Sequence, residues 1–407
     1  MNIVIAQRIT LAHHVKGGME IVADAVSRGL AARGHHVEVL TTAHPLRPPV
    51  EVEGSVVTHY LPRSDCRRYT RRWWRDSSRL LATLAAEGRA DVVVSHSAGA
   101  IGYASHAVRG LGIPLVLVVH TPFRASLYNQ WRGARTWRRL ARLAYDLAIA
   151  PRHGLLWRRS LRLAAAVVAP SEAIARAVAT GSDLATGRVT VVPHGVDTAR
   201  FAPSAEVRRR MRDRWGLSQQ AFTGVFASRL VPEKGGDVLL RAVAEVPALH
   251  LVIAGDGPHA GALRTRARAL GIDGRVRFLG PVAHEEVADC FAAGDVFVLP
   301  SLCREGFPLS ILEAMASGLP TITTGHGGQA SAVEPGRTGL LVPPGDARAL
   351  AAALSRLEAD RALRNRLAVA AREAACARFS AAGMVRGYEA VLLRAVSTGR
   401  MAVGGAE

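Results

Sequence analysis

Apolar residues along this chain fall into two alternating rhythms. Short continuous runs at Ile3–Ala6, Val37–Leu40, Val92–Val94, Leu115–Val119, Ala165–Val168 and Val189–Val192 read as buried strands. Helical patterns lie between them. The first opens after Gly17-Gly18, places Met19, Val22, Ala23, Val26 and Leu30 at helical spacing, and stops at Gly34. The rhythm then starts again. Strands are expected at Val225–Ala227, Leu251–Ala254, Val276–Leu279, Val296–Leu299 and Thr321–Thr323, and helices at Asp237–Val246, Gly261–Leu270, Glu285–Ala293 and Pro308–Ser317. Strands separated by helices predict parallel sheets covered on both faces, so the pattern calls for an α/β fold of two doubly wound domains.

Length agrees with two domains, since 407 residues exceed one ordinary hydrophobic core. The expected division is 1–195, 196–380, and a final segment 381–407 whose helix returns to the N-terminal domain before a disordered tail. No run of about 18 apolar residues suggests a membrane span. The N-terminus leads directly into strand-like sequence and does not read as a signal peptide. Four widely spaced cysteines with no C-x-x-C pair fit neither a disulfide framework nor a zinc site. A cytoplasmic location is expected.

Charge is unevenly placed. Residues 1–200 carry 27 basic and 13 acidic side chains, and the net charge of the chain is +19. Only two of the 52 basic residues are lysines, Lys16 and Lys234, and both lie beside glycine pairs. A compact ammonium there, in a chain that otherwise uses arginine, points to a site.

In open α/β sheets ligands bind at the carboxyl ends of strands. At one such end stands Ser228-Arg229-Leu230-Val231-Pro232-Glu233-Lys234-Gly235-Gly236. Its two cations can clamp a diphosphate, although alone they fit a solvated loop equally well. The next strand ends in Gly255-Asp256-Gly257-Pro258, a turn that permits close backbone approach. The most informative stretch runs from Glu305-Gly306-Phe307-Pro308 to Glu313 and Gly318. Pro308 suits a helix start and Gly318 its end. With a loop plus ~1.5 Å per helical residue, the two carboxylates should be roughly 8–12 Å apart. That is at or beyond the spacing of a glycosidase acid/base pair and suits hydroxyl groups at two ends of a long ligand. The helix N-terminus between them offers N–H groups to a phosphate.

Glu305 and Glu313 form the E-x7-E pattern of retaining GT-B glycosyltransferases, and the chain resembles glycosyltransferase family 4 over nearly its whole length. The likeness is strongest from Val191 to Asp346. It includes Val192-Pro193-His194-Gly195-Val196-Asp197, Phe278-Leu279-Gly280 and Thr338-Gly339-Leu340-Leu341-Val342-Pro343-Pro344-Gly345-Asp346. The resemblance implies two Rossmann-like domains facing a central cleft and a nucleotide-sugar donor of UDP or GDP type. Arg229 and Lys234 would hold the diphosphate, Glu313 the ribose and Glu305 a sugar hydroxyl. Backbone near Gly306, Phe307 and Pro308 would meet the sugar, that near Ile311 and Leu312 the phosphate, and that around Val282 the base, with Gly255 in the same site. Gly17 and Gly18 would let the first domain's loop close over the phosphate, and His120 would approach the reacting sugar. No cofactor is implied, and the sequence has no D-x-D or H-E-x-x-H metal motif. Three departures stand out: Ser228 for a frequent glycine, His194 for the commoner asparagine, and Ser331 for a usual glutamate, with Glu334 nearby.

The first half also carries an arginine- and tryptophan-rich pair of segments. Arg63–Arg79 interleaves Arg67, Arg68, Arg71, Arg72 and Arg75 with Tyr69, Trp73 and Trp74, and Arg124–Arg162 adds Trp131, Trp137 and Trp157. A helix through 131–148 would put Arg135, Arg138, Arg139 and Arg142 on one face and Leu140, Leu143, Ala144 and Leu147 on the other. That is the pattern of an interfacial helix on anionic lipid. The expected partners are therefore the donor, a sugar or lipid-linked acceptor, and an anionic membrane surface, with no nucleic acid, for which no motif is present. A GT-B epimerase, a transferase with a small soluble acceptor and a non-catalytic binding module are the alternatives. A phosphorylase lacks a spare lysine for pyridoxal, and a dinucleotide oxidoreductase lacks G-x-G-x-x-G after the first strand.

Overall fold

The computed structural model describes residues 1–13, 17–66, 68–121, 137–182 and 188–404, with the side chains of 137–149 and 399–404 excepted. They gather into two compact units. The first takes most of the chain up to His194 and the segment from Ala382 onward; the second takes Gly195–Ala381.

The first unit is built on β1 (Asn2–Ala6), β2 (His36–Thr42), β3 (Val50–Glu53), β4 (Val56–Leu61), β5 (Val92–His96), β6 (Leu115–Val118), β7 (Ala166–Ala169) and β8 (Val189–Val191), in the order β3-β4-β2-β1-β5-β6-β7-β8. All neighbours are parallel except β3, which pairs antiparallel with β4. The β3–β4 hairpin is absent from the sequence reading. Its outer strand alternates valine with glutamate and is largely exposed, so it lacks the continuous apolar run of a buried strand. The second sheet contains β9 (Phe222–Ala227), β10 (Leu249–Ala254), β11 (Val276–Gly280), β12 (Val296–Leu299), β13 (Thr321–Thr324) and β14 (Gly339–Val342). Its order is β11-β10-β9-β12-β13-β14 and every pairing is parallel.

Tryptophans 73 and 74 prove to be core residues. Thr70 caps the helix Arg71–Ala86 by accepting the Trp73 N–H, which sets a phase that turns Trp73, Trp74, Ser77, Leu81 and Leu84 inward. Trp73 is fully buried, and the two indole N–H groups donate to the carbonyls of Gly99 (2.8 Å) and Ala98 (3.0 Å). Trp157 packs partly buried against the same core. The Trp73 and Trp74 rings are thus unavailable to a lipid interface, whereas Arg71, Arg72, Arg75 and Arg79 on their helix are exposed. Trp131, Arg67 and the 131–136 part of the amphipathic helix lie outside the described residues. A helix does run from Trp137 to Leu163, through Pro151.

The helix Ala381–Gly404 packs within the first unit. A Cβ at Gly29 would collide with Val385, and Glu389 takes Arg33 (2.7 Å) and His35 (2.9 Å). Among the described residues no helix is long and apolar enough to cross a membrane.

The second unit is stapled by Arg212, whose side chain is fully buried. It donates to the carbonyls of Ala293, Ser218, Gln219 and Ala221 and to Asp295 at 2.7 Å, which Arg208 also meets at 2.7 Å. An arginine fork satisfies this many acceptors at once, and no shorter cation does. Arg212→Ala should therefore lower the stability of this unit by about 3 kcal/mol or more, because buried carbonyls lose their donors. A urea titration that left the midpoint unchanged would contradict this role.

Candidate functional site at the strand ends

Each sheet has one place where the chain reverses its direction of travel: between β1 and β5 in the first, and between β9 and β12 in the second. Loops leaving such a pair diverge to opposite faces and leave a crevice for ligand. In the second unit those loops carry the Arg229/Lys234 segment and the Glu305 segment.

The Lys234 ammonium lies 2.6 Å from Glu305 Oε1. Ser301 Oγ is 2.7 Å and Cys303 Sγ 3.6 Å from the same oxygen. The loops are also tied by backbone, with the Leu302 N–H donating to the Glu233 carbonyl at 2.8 Å. Burial is the largest influence on Glu305 and pushes its carboxyl up. The Lys234 charge and the hydrogen bonds from Lys234, Ser301 and Cys303 outweigh it and hold the carboxyl below its ordinary value. Cys303 is pushed the other way, up to about 11, by burial and then by the Glu305 charge.

Glycines make this approach possible. Gly235, at φ 76°, lies so close to the end of β12 that a Cβ would strike the Pro300 carbonyl. Gly255 and Gly257 sit against the carbonyls of Ser228 and Leu230 and so brace the loop holding Arg229. Gly328 faces the Gly306 carbonyl with no room for a side chain, and its N–H donates to the Glu305 carbonyl at 2.8 Å. Arg229 itself is exposed and has no ion-pair partner among the described residues.

Glu305 is followed by Gly306, Phe307 and Pro308. Pro308 is the N-cap of the helix Leu309–Ala316, one residue outside the helix and not in its first turn, and no side chain caps that end. The N–H groups of Leu309 and Ser310 therefore meet no capping side chain, while that of Ile311 donates to the Pro308 carbonyl at 3.3 Å. Ile311 and Leu312 are fully buried, and Phe307 packs edge-on against Phe379. Glu313 is the one acid in this apolar helix, only 6% exposed, and His284 Nε2 lies 2.8 Å from its Oε1. Val282 is half-buried on the segment between β11 and the helix that His284 begins. Glu334 does not join the Lys234–Glu305 cluster: its oxygens are engaged by Arg337 (2.7 Å) and Arg378. Ser331 lies in the short helix Gln329–Ala332.

In the first unit, Gly17 is the N-cap of the helix Gly18–Ala32, and no side chain caps it. Lys16 lies outside the described residues. His120 follows β6 and is buried between two further strand-end histidines. Its Nε2 is 2.9 Å from His96 Nδ1, and its Nδ1 is 3.3 Å from His194 Nε2. Both ring nitrogens of His120 are thus occupied by histidine. Burial and the neighbouring rings drive His120 well below its ordinary value, and burial followed by the His194 charge takes His96 to about 4. Sequence reasoning singled out His120 and noted His194 only as a departure; it missed His96, His284, Ser301 and Cys303. The signal was present in part, since Ser95-His96, Val119-His120 and Pro193-His194 each follow an apolar strand run. Among the described residues no group of three His, Cys, Asp or Glu is arranged to hold a metal ion.

The Lys234–Glu305 pair has a pH signature. A carboxyl held below its ordinary 4.5 contributes stability that is full above that value and is lost as pH falls through the lowered one. In Lys234→Met the carboxyl stays buried without its counter-charge, so its value rises and the charged form destabilises the fold at neutral pH. The variant should be about 3 kcal/mol less stable at pH 7, with the gap closing towards pH 4. A gap independent of pH in paired urea titrations would refute the linkage.

Comparison with known proteins extends over both units. The family description "Glycosyltransferase Family 4" matches residues 16–200, and "Glycosyl transferases group 1" matches residues 207–374. A D-inositol 3-phosphate glycosyltransferase of Streptomyces avermitilis is 34% identical over 88% of this chain and 80% of its own length. A GDP-mannose-dependent alpha-(1-6)-phosphatidylinositol monomannoside mannosyltransferase of Mycolicibacterium smegmatis is 40% identical over 42% of this chain and 47% of its own. Among solved structures, sucrose-phosphate synthase from Thermosynechococcus elongatus superposes with a TM-score of 0.79 at 23% identity, over 99% of both chains. The Anabaena protein HepE in complex with UDP and glucose gives 0.72 at 22%, over 96% of this chain and 99% of its own. Two doubly wound units, the second with its polar cluster at a strand crossover, together with these relationships, identify the chain as a glycosyltransferase of GT-B fold that belongs to glycosyltransferase family 4.

Proposed function

We propose that the protein transfers a hexose from a nucleoside diphosphate sugar to a glycan or lipid-linked acceptor, with retention of configuration and without a metal ion. The observation that carries this reading is the arrangement at the β9/β12 crossover: a lysine, a partly buried carboxylate and an uncapped helix N-terminus, followed by the buried Glu313. Lys234, the free Arg229 and the helix N–H groups meet the diphosphate and stabilise the charge that grows on it as the sugar leaves. Those cations take the role a metal would otherwise have. Glu305 is already oriented by Lys234, Ser301 and Cys303 and accepts a sugar hydroxyl; Glu313 accepts the ribose. Gly306 and Phe307 offer backbone to the sugar, Ile311 and Leu312 to the phosphate, Val282 to the base. In this mechanism the acceptor oxygen attacks the anomeric carbon on the face from which the phosphate departs, and its proton passes to the leaving phosphate oxygen. A relative named as GDP-mannose-dependent and a structure containing UDP and glucose support the donor class.

A donor that fits should raise the melting midpoint, by about 2.7 kcal/mol of stability at a hundredfold excess over Kd. GDP-mannose, UDP-glucose and ADP-glucose form the first panel, and Glu313→Ala should abolish the shift. The product linkage should keep the donor's anomeric configuration by proton NMR. Absence of a shift with every nucleotide sugar, or an inverted product, would defeat the reading.

The acceptor is proposed to be lipid-linked, with the protein docking peripherally through the exposed arginines 71, 72, 75 and 79. A relative that acts on a phosphatidylinositol monomannoside supports this. Asp76 partly offsets the patch, pairing with Arg75 at 2.9 Å. At about 1 kcal/mol per arginine near an anionic surface, replacing all four by glutamine should greatly weaken flotation with phosphatidylserine vesicles. Equal failure of the native protein to float with anionic and with neutral vesicles would dismiss the docking.

A further inference from the structure

The buried histidine row of the first unit has a direction. His96, His120 and His194 are fully or nearly fully buried, and the first two rings stack with centroids 5.2 Å apart. Three neutral imidazoles joined by two hydrogen bonds have two proton arrangements that keep both bonds. In one, the N–H groups point from His194 towards His96, and a proton is left on His96 Nε2. In the other they point from His96 towards His194, and His96 Nε2 holds a lone pair. His96 Nε2 is sealed from solvent and has no hydrogen-bond partner among the described residues. An orphaned buried N–H is the rarer and costlier defect, so the second arrangement is favoured. It protonates all three rings on Nδ1, although free neutral histidine prefers the proton on Nε2. The Tyr69 hydroxyl supports the end of the row by donating to the His96 carbonyl at 3.2 Å. No carboxylate acts on His96 or His120 among the described residues; the influences there are burial and the rings themselves.

We propose that His96 and His194 are positioning residues that occupy both nitrogens of His120, lock it in the Nδ1–H tautomer and keep it a fixed, uncharged ring, so that it serves the transfer reaction without acting as an acid or a base. This rests on the reading that places His120 at the reacting sugar. The row adds what that reading lacks. A lone strand-end histidine would be free to titrate and to shuttle the acceptor's proton, whereas this one has no nitrogen to spare. His194 then becomes specific in its role: it is the acceptor that pulls the His120 proton to Nδ1, and an asparagine amide oxygen could do the same.

Long-range proton–nitrogen NMR of the full-length chain, labelled with 15N-histidine, reads the tautomers directly. The His120 signal is identified by its loss in His120→Gln. The expected result is Nδ1 protonation of His96 and His120, unchanged from pH 8 to pH 5. In His194→Leu the acceptor is gone and either tautomer of the remaining pair leaves one N–H unpaired, so the intrinsic preference for Nε2 decides and the His120 proton should move there, facing His96. In His194→Asn it should stay on Nδ1. Native His120 protonated on Nε2, titration of that ring near its ordinary 6.5, or a tautomer unaltered by His194→Leu would each overturn the proposal. If the leucine variant does not fold, the native and asparagine spectra decide alone. None of these readouts uses turnover, so they stand apart from the nucleotide-sugar melting panel, whose failure would remove the transferase reading and leave the tautomers as measured.

Discussion

The contact between Lys234 and Glu305 is the constraint around which the second unit is arranged. Seventy-one residues separate the two side chains in sequence, and 2.6 Å separates them in space. Bringing them together requires β9 and β12 to be neighbours and the chain to reverse direction between them. It also requires loops that approach as closely as backbone allows, which is why Gly235, Gly255 and Gly328 stand where any Cβ would collide with a carbonyl. An ion pair taken out of water gives back much of its attraction as lost hydration, so it is poor evidence for stability. Its effect here is orientation: the carboxylate is held ionised, and the hydrogen bonds from Ser301 and Cys303 fix its rotamer.

Most of the two sheets was legible because buried parallel strands announce themselves as unbroken apolar runs. The first strand of each sheet shows this, with Ile3, Val4 and Ile5 fully buried, and Val225 and Phe226 likewise. The β3–β4 hairpin was not legible by the same criterion, since Val50 and Val52 point into solvent between glutamates. The strand β14 was quoted within a motif but not read as a strand, its four residues being too short a run beside Gly339. Sequence reasoning singled out Arg229, Lys234, Glu305 and Glu313 at these strand ends, the last because an acid inside an apolar helix is anomalous. What could not be read was which of them touch. The lysine and the glutamate were assigned to different parts of the ligand, and only the strand order shows them paired. His284 and Ser301 were invisible for the same reason, each being an ordinary polar residue until a neighbouring strand end places a carboxylate beside it.

Of the two arginine- and tryptophan-rich segments, the first is explained by its helical phase, whereas the interfacial helix expected through 131–148 has its side chains outside the described residues. With Thr70 as cap, Trp73, Ser77, Leu81 and Leu84 form the inward stripe, and the arginines are simply the outer face. The two indole N–H groups reach backbone carbonyls just beyond β5, so this helix is bolted to the segment that follows His96. The inner face of this arginine- and tryptophan-rich helix therefore supports the histidine row from behind, with Tyr69 bonded to the His96 carbonyl.

The company kept by Cys303 has a chemical consequence. With its thiol raised to about 11, Cys303 is the neutral thiol at pH 7. A thiolate there would be the strongest nucleophile of the cluster. Kept protonated by burial first and by the neighbouring Glu305 charge second, the cysteine is instead a quiet filler. Burial and that charge together slow any reaction that needs the thiolate, alkylation and mild oxidation included.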